Sequence, residues 1–247
     1  MTPAEGHWCC WDKNRPIIYV FPTFGSQMRI IDASDIKNPI EISQFWLEEW
    51  TLQQPCSISN FVLVPQQNKI SVIDVSDPKN PKLFERWDCG GRVITVPEKG
   101  LIFISYTKSP SWGKWQAFLK IKKLDKDRFL DVKEEMIRDE NIGGGSWPAN
   151  IEVEGNRIYV NDISADMFYV FEFNEDGEIK KIGEISTKNW GFGKAFNMDY
   201  PGRFAVKDKK VYLPIIAEGK KAEIPIFYVI DTTKTPFIKI YEQKFPY

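Results

Sequence analysis

Four cysteines and one histidine are the side chains of this 247-residue chain that best suit a soft metal ion. Cys9 and Cys10 are adjacent, His7 lies just before them, and Cys56 and Cys89 follow much later. Thiolate and imidazole are good ligands for zinc and copper(I). The spacing lacks the C-x₂₋₄-C pair of a closed zinc site, and free cysteine is a common small core residue. We therefore expect structural roles and no bound cofactor, with zinc or copper as the alternative.

Carboxylates offer a second chemistry, because glycoside hydrolysis uses two acidic side chains that flank the scissile bond. The candidates are Asp88, Glu152 and Asp162. Because side chains alternate between the two faces of a strand, two of these carboxylates can act together only if they point to the same side. The chain contains no G-x-S-x-G elbow and no G-x-x-x-x-G-K-[ST] phosphate loop. With 1 histidine it also lacks H-E-x-x-H. These absences favour a protein that is not an enzyme.

Aromatic residues are abundant, with 9 Trp, 9 Tyr and 17 Phe, and several lie beside glycine runs. Rings flanked by arginine or aspartate suit sugars and other small ligands, and Trp and Arg are enriched at protein-protein hot spots. The competing interpretation is that these rings pack between sheets. The candidate residues for binding a ligand or a partner are Trp112, Trp115, Trp147, Trp190, Phe192, Tyr200, Arg92, Arg203 and Asp162.

Charge and hydropathy exclude two classes of partner. The chain has 33 Lys+Arg against 34 Asp+Glu, a net charge of -1, so it has no basic footprint for nucleic acid. No apolar run of about 18 residues exists, so no membrane insertion is expected. The start of the chain lacks the pattern of a secretory signal, and no Asn-x-Ser/Thr acceptor occurs. A cytoplasmic location is therefore predicted.

Internal repeats indicate the scaffold that must position these residues. Residues 29–39 and 71–81 share an apolar run followed by Asp-x-Ser-Asp-x-Lys-Asn-Pro, and a weaker copy occupies 228–236. Asp, Ser, Asn and Pro in this order favour a tight turn between two strands. One or two short apolar runs precede each copy and another follows it. This pattern predicts a four-stranded antiparallel sheet, the blade of a β-propeller.

Two further blades without this turn fill the middle of the chain, which predicts an all-β fold with a single five-bladed β-propeller. The domain is expected to span residues 1–247, with blades at about 5–48, 49–88, 89–140, 141–187 and 188–247. The chain starts near an innermost strand and ends on an outermost one. We therefore predict a ring that closes without a swapped strand.

The two strong turns, around Asp32-Asn38-Pro39 and Asp74-Asn80-Pro81, resemble those of the LVIVD-repeat family. That resemblance implies a β-propeller and says little about activity. The beginning of the chain is also faintly similar to selenium-binding proteins, some of which are copper-dependent methanethiol oxidases. Those proteins use a Cys-x-x-Cys motif and several histidines, and this chain has neither. The departure argues against oxidase activity.

In a propeller, the loops between blades and those between second and third strands share one face, here called the loop face. Binding sites usually lie on such loops. We predict a non-catalytic protein-interaction or scaffold propeller that uses an aromatic loop face to bind a protein partner. The alternative is a propeller that binds a carbohydrate or small ligand at the channel mouth, with hydrolysis as its extension. The third hypothesis is a Cys/His metal site in the central channel of the propeller, which the innermost strands line.

Overall fold

The computed structural model describes residues 6–22, 26–51, 53–111, 114–138, 150–162, 165–187, 204–218 and 223–244. Its strands form five antiparallel sheets of four strands each, and every sheet uses four consecutive strands. This confirms the predicted five-bladed β-propeller. Within the described ranges no strand is exchanged between sheets, as predicted.

The strands are numbered in chain order, and each sheet runs from its first to its fourth strand. Sheet 1 contains β1 (Gly6–Trp11), β2 (Ile17–Pro22), β3 (Gln27–Asp32) and β4 (Ile40–Trp46). Sheet 2 contains β5 (Cys56–Ile58), β6 (Phe61–Pro65), β7 (Ile70–Asp74) and β8 (Lys82–Trp87). Sheet 3 contains β9 (Gly91–Val96), β10 (Leu101–Ser111), β11 (Lys114–Asp125) and β12 (Arg128–Arg138), with a 3₁₀ turn at Pro97–Lys99.

The last two sheets follow the same order. Sheet 4 contains β13 (Asn150–Glu154), β14 (Arg157–Asp162), β15 (Met167–Phe173) and β16 (Ile179–Ser186). Sheet 5 contains β17 (Ala205–Lys207), β18 (Lys210–Glu218), β19 (Glu223–Asp231) and β20 (Ile238–Lys244). β10, β11 and β12 of sheet 3 have 11, 12 and 11 residues, so they are longer than the strands of the other sheets.

The chain divides into two compact units. The first is Met1–Thr107 with Leu119–Asp131, and the second is Lys108–Phe118 with Val132–Tyr247. Sheets 1 and 2 belong to the first unit, and sheets 4 and 5 belong to the second. The predicted extent of one domain, 1–247, and its blade boundaries stay predictions.

Apolar second and third strands build the core of each unit. All five residues of β6 are buried, and so are the first four of β7. In the first unit, Tyr19, Met28 and Ile30 of sheet 1 pack against sheet 2 and are fully buried. In the second unit, residues of sheets 4 and 5 form an equivalent cluster. The fourth strands are the most exposed, as expected for the outer edge of a blade.

The repeated turn has the same hydrogen bond in all three copies. Asp32, Asp74 and Asp231 each accept a bond of 2.8 Å from the backbone amide two residues later. This is an Asx turn, in which the side chain replaces a backbone acceptor. The hydrogen bond from the Ser34 hydroxyl lowers the pKa of Asp32. The weak third copy is therefore a true repeat of this turn.

Two arginines near the start of a second strand donate hydrogen bonds to the repeated turn of the next sheet. Arg15 donates to the carbonyl of Val75 at 2.9 Å, and Arg157 donates to that of Thr232 at 3.0 Å. Val75 and Thr232 both directly follow the aspartate of the repeated turn. Sheets 1 and 2, and likewise sheets 4 and 5, are thus joined by equivalent long-range bonds.

The described part of the chain has no helix long and apolar enough to cross a membrane. The cytoplasmic location stays a prediction.

Candidate functional site

Three of the nine binding residues proposed from the sequence lie within the described ranges. Arg92, Trp115 and Asp162 lie within the described ranges, Arg92 in the first unit and the other two in the second. Arg92 on β9 and Trp115 on β11 are partly buried. Six predicted residues lie outside the described residues: Trp112, Trp147, Trp190, Phe192, Tyr200 and Arg203. Their predicted role stays a prediction.

Asp162 is buried and pairs with an arginine that sequence reasoning missed. Oδ2 of Asp162, at the end of β14, lies 2.9 Å from Nε of Arg138, at the end of β12. Their side chains are only 1% and 3% exposed. The two opposite charges are removed from water together, so the loss of either one would leave the other buried and uncompensated. Arg138 was not proposed from the sequence, because no local pattern connects it to Asp162 in the next sheet.

The candidate carboxylates of sheet 4 do not converge. Glu152 on β13 lies opposite Tyr159 on β14, so these two side chains share one face of the sheet. Side chains alternate along β14, which places Asp162 on the other face. Asp88, the third candidate, is exposed and belongs to the first unit. Glu152 and Asp162 therefore point to opposite faces of sheet 4, which gives no support to a pair of catalytic carboxylates there.

The four cysteines lie in the first unit as free thiols. Cys9 is exposed and Cys10 packs against the core between sheets 1 and 2, so the two point to opposite faces of the strand. Burial, followed by the nearby Cys56 thiol, raises the pKa of Cys10 well above its usual value. Burial also raises the pKa of Cys56 to about 12. A raised pKa makes the deprotonation that metal binding requires more costly at both thiols.

The metal hypothesis gains no support from the described residues, which contain no group of three or more His, Cys, Asp or Glu placed to hold an ion. Cys89 is buried and Cys56 is partly buried. The side chain of His7 lies outside the described residues. A zinc or copper site therefore stays an untested alternative.

Two tryptophans that are not among the binding residues proposed from the sequence are strongly exposed. Trp46 ends β4 and is 71% exposed, and Trp50 lies in the connection to β5 and is 54% exposed. We call residues 46–50 the Trp46–Trp50 segment. It lies at the loop face of the first unit, because it joins two successive sheets. The exposure of this segment was not predicted, because Trp46 belongs to a run of strand residues and Trp50 lies next to a predicted blade boundary.

Backbone contacts hold the Trp46–Trp50 segment in place. Leu47 is buried, and its amide donates to the carbonyl of Ser26 at 2.7 Å. The side-chain amide of Gln66, itself buried, donates to the carbonyl of Glu49 at 2.8 Å. Both bonds fix the backbone between the two tryptophans.

Charged side chains add a second set of contacts to this segment. Nζ of Lys69 lies 2.9 Å from a carboxylate oxygen of Glu48 and 3.1 Å from one of Glu49. Arg86 pairs with the other oxygen of Glu48. The hydrogen bond from Lys69 lowers the pKa of Glu48. Isolated exposed pairs stabilise little, but a network of several charges restricts a segment more effectively.

Comparison with known proteins identifies the fold. No family model matches the chain, and no curated protein matches it. Among solved structures, the periplasmic gluconolactonase PpgL of Pseudomonas aeruginosa aligns with a TM-score of 0.64 at 9% identity, over 97% of this chain and 72% of its own. The β-propeller domain of Cps50 (Swd1) from Myceliophteria thermophila aligns with a TM-score of 0.63 at 8% identity, over 97% and 73%.

A third similar structure is that of S. cerevisiae dbp5 bound to nup159, gle1, ip6 and adp. Its TM-score is 0.57 at 12% identity, over 98% of this chain and 61% of the matched one. Identities this low show the fold alone. The chain is a β-propeller protein.

Proposed function

We propose that this protein is a non-catalytic protein-interaction propeller that binds a protein partner through the Trp46–Trp50 segment. The observation that carries the proposal is the exposure of Trp46 and Trp50 on a segment whose backbone is hydrogen-bonded on both sides. Large exposed aromatic side chains in a well-ordered setting are typical anchors of protein interfaces.

The energy available from these side chains is sufficient for a hot spot. A tryptophan buries roughly 150–250 Å² when covered, and apolar burial contributes about 25 cal/mol per Å². Since Trp46 and Trp50 are each more than half exposed, covering them contributes about 3 kcal/mol each. Hot-spot residues contribute about 2 kcal/mol or more. A segment that is already ordered loses less entropy on binding.

The resemblances are consistent with this role and extend it. The Asx turns at Asp32, Asp74 and Asp231 support membership of the LVIVD-repeat family. A structure described as dbp5 bound to nup159 and gle1 is among the similar folds, which supports an assembly role for this chain. The similar gluconolactonase fold supports the small-ligand alternative. The opposed directions of Glu152 and Asp162 oppose its hydrolytic form.

Quantitative affinity capture from the native source tests the proposal. Tagged wild type, Trp46→Ala, Trp50→Ala and the double variant are compared, and each captured protein is then purified and titrated directly. We expect a direct partner whose affinity falls about 30-fold in each single variant and several hundred-fold in the double variant, since each lost hot-spot anchor contributes about 2 kcal/mol. Ile40→Ala is the matched control, because Ile40 is 65% exposed at the other end of β4.

Two results would overturn the proposal. One is a direct partner that binds the double variant and the wild type equally well. The other is the absence of any direct partner together with glycan-array binding that disappears in Trp50→Ala. The second result would establish the carbohydrate alternative in its place.

A further inference from the structure

A cleft of about 450 Å³ lies in the first unit, at the opposite end of the strands from the Trp46–Trp50 segment. It is bounded by the first hairpin turns of sheets 1 and 2 and by the 3₁₀ turn of sheet 3. Sites for small ligands have volumes of about 300–1,000 Å³. The cleft is therefore large enough for a compact small molecule.

The lining of this cleft combines an apolar surface with two opposite charges. Ile58, Pro97 and Leu124 supply the apolar part, and Lys13 and Glu98 supply an ammonium and a carboxylate. Within the described residues, neither Lys13 nor Glu98 takes part in an ion pair. Both charged groups are exposed, so a ligand can reach them.

The walls of the cleft are held together by hydrogen bonds between sheets and within sheet 3. The buried hydroxyl of Ser57 donates to the carbonyl of Trp11 at 2.6 Å, which joins sheet 2 to sheet 1. The hydroxyl of Thr95 donates to the carbonyl of Ser57 at 3.0 Å, which joins sheet 3 to sheet 2. The amide of Leu124 donates to the carbonyl of Gly100 at 2.8 Å. A ligand therefore meets a preformed surface, which favours binding.

We propose that this cleft binds a small zwitterion with an apolar substituent, of the class of free apolar α-amino acids. Lys13 pairs with the ligand carboxylate and Glu98 with its ammonium, while the partly exposed Pro97 and Leu124 contact the apolar side chain. A ligand with one charge of each sign leaves the cleft neutral, because Lys13 and Glu98 already balance each other. This inference is independent of the partner surface, since it uses other residues at the other end of the strands.

Isothermal titration with L-leucine and two analogues tests the assignment. L-Leucinamide lacks the carboxylate, and 4-methylpentanoate lacks the ammonium. We expect saturable binding of L-leucine to the wild type and about tenfold weaker binding of each analogue, since each lacks one charge-assisted contact. Lys13→Met should weaken L-leucine about tenfold and remove the preference for L-leucine over L-leucinamide. Glu98→Gln should remove the preference over 4-methylpentanoate.

Matched controls are Lys79→Met and Glu178→Gln, which change exposed residues outside the cleft. Both should bind L-leucine as the wild type does. Absence of saturable binding of L-leucine to the wild type up to about 10 mM would overturn the proposal. Binding that Lys13→Met and Glu98→Gln leave unchanged would overturn it too, because the ligand would then lie elsewhere. Thermal melts of the two variants separate loss of a contact from loss of the fold.

Discussion

At the scale of single residues, the buried contact between Arg138 and Asp162 predicts a large effect of substitution on stability. Asp162→Asn removes the charge that compensates Arg138 and leaves a buried guanidinium unpaired. Removal of one member of a buried pair typically lowers the free energy of unfolding by 3–5 kcal/mol, and we expect about 3 kcal/mol here. Urea denaturation followed by fluorescence measures the change.

An exposed ion pair provides the matched control for this substitution. Arg128 and Asp125 are 3.9 Å apart, and both are largely exposed. Asp125→Asn should therefore change the free energy of unfolding by less than about 0.5 kcal/mol. The double variant Arg138→Met with Asp162→Leu should regain most of the stability, because it removes both buried charges. Equal stabilities of Asp162→Asn and Asp125→Asn would contradict this account.

Asp12 gives the protein a specific response to acid. Its carboxylate accepts hydrogen bonds from the Arg15 side chain, the Asn14 amide and the Tyr19 hydroxyl. Burial alone would raise the pKa of Asp12, but these hydrogen bonds outweigh it and the pKa is lowered. A lowered pKa contributes stability above the unfolded value, about 3.9, and this contribution is lost as pH falls through the folded value.

We therefore expect the free energy of unfolding to fall as the pH is lowered from about 5 toward 2, and to fall less steeply in Asp12→Asn. Some slope should remain, because the pKa values of Asp32, Asp35, Asp77 and Asp231 are lowered in their turns as well. Urea denaturation at several pH values measures both slopes. Parallel curves for the wild type and Asp12→Asn would show that Asp12 contributes nothing.

At the scale of strands and turns, Arg157 connects sheet 4 to the repeated turn of sheet 5. It donates to the Thr232 carbonyl at 3.0 Å and pairs with Glu172 at 3.1 Å. Arg157→Met keeps most of the apolar stem but removes these bonds. We expect a loss of about 2 kcal/mol, the usual range for hydrogen bonds to a charged group. The midpoint of urea denaturation measures this loss.

Arg128→Met is the matched control, because Arg128 is 75% exposed and the same side chain is removed without a contact to the next sheet. It should leave the midpoint nearly unchanged. If Arg157→Met were as stable as Arg128→Met, the arginine bond would be incidental and the apolar cluster of sheets 4 and 5 would suffice to join them.

The repeated turn also shows why the fold was predictable from the sequence. Its aspartate, serine and proline act on backbone groups only two or three residues away, so the pattern of residue types determines the local structure. Three such turns predicted three of the sheets, and the apolar runs between them predicted the other two. The bonds from Arg15 and Arg157 were not predictable in this way, because their acceptors lie 60 and 75 residues along the chain.

The candidate site was less predictable, because it depends on register and exposure. Whether Glu152 and Asp162 converge follows only from the pairing of β13 with β14, which no composition reveals. Trp46 and Phe45 are neighbours in sequence, yet Phe45 packs on the core and Trp46 is exposed. A sequence pattern predicts that two such side chains alternate. It does not predict which of the two a neighbouring sheet covers.

At the scale of the whole molecule, basic and acidic side chains are nearly equal in number, and several of them form ion pairs on the outer strands. The chain carries 33 basic and 34 acidic side chains, and many pair along the outer strands. Lys133 with Glu135 on β12, Lys181 with Glu184 on β16, and Lys239 with Glu242 on β20 are such ion pairs. Charged side chains on an edge strand discourage pairing with another molecule. The outer strands thus protect the more apolar strands behind them.

Removal of β20 tests this protective role. Deletion of residues 238–247 removes Lys239, Glu242 and the pairing of β20 with β19. It keeps Phe237, which is buried. The edge of β19, with Tyr228 and Ile230 from the core, would then be open to another molecule. We expect concentration-dependent association in light scattering and a lower melting temperature, because an unprotected apolar edge is a template for strand pairing. Deletion of residues 245–247 alone leaves β20 complete and should change neither property. A 238–247 deletion that stays monomeric and equally heat-resistant would show that the outermost strand of this sheet is dispensable for both solubility and stability.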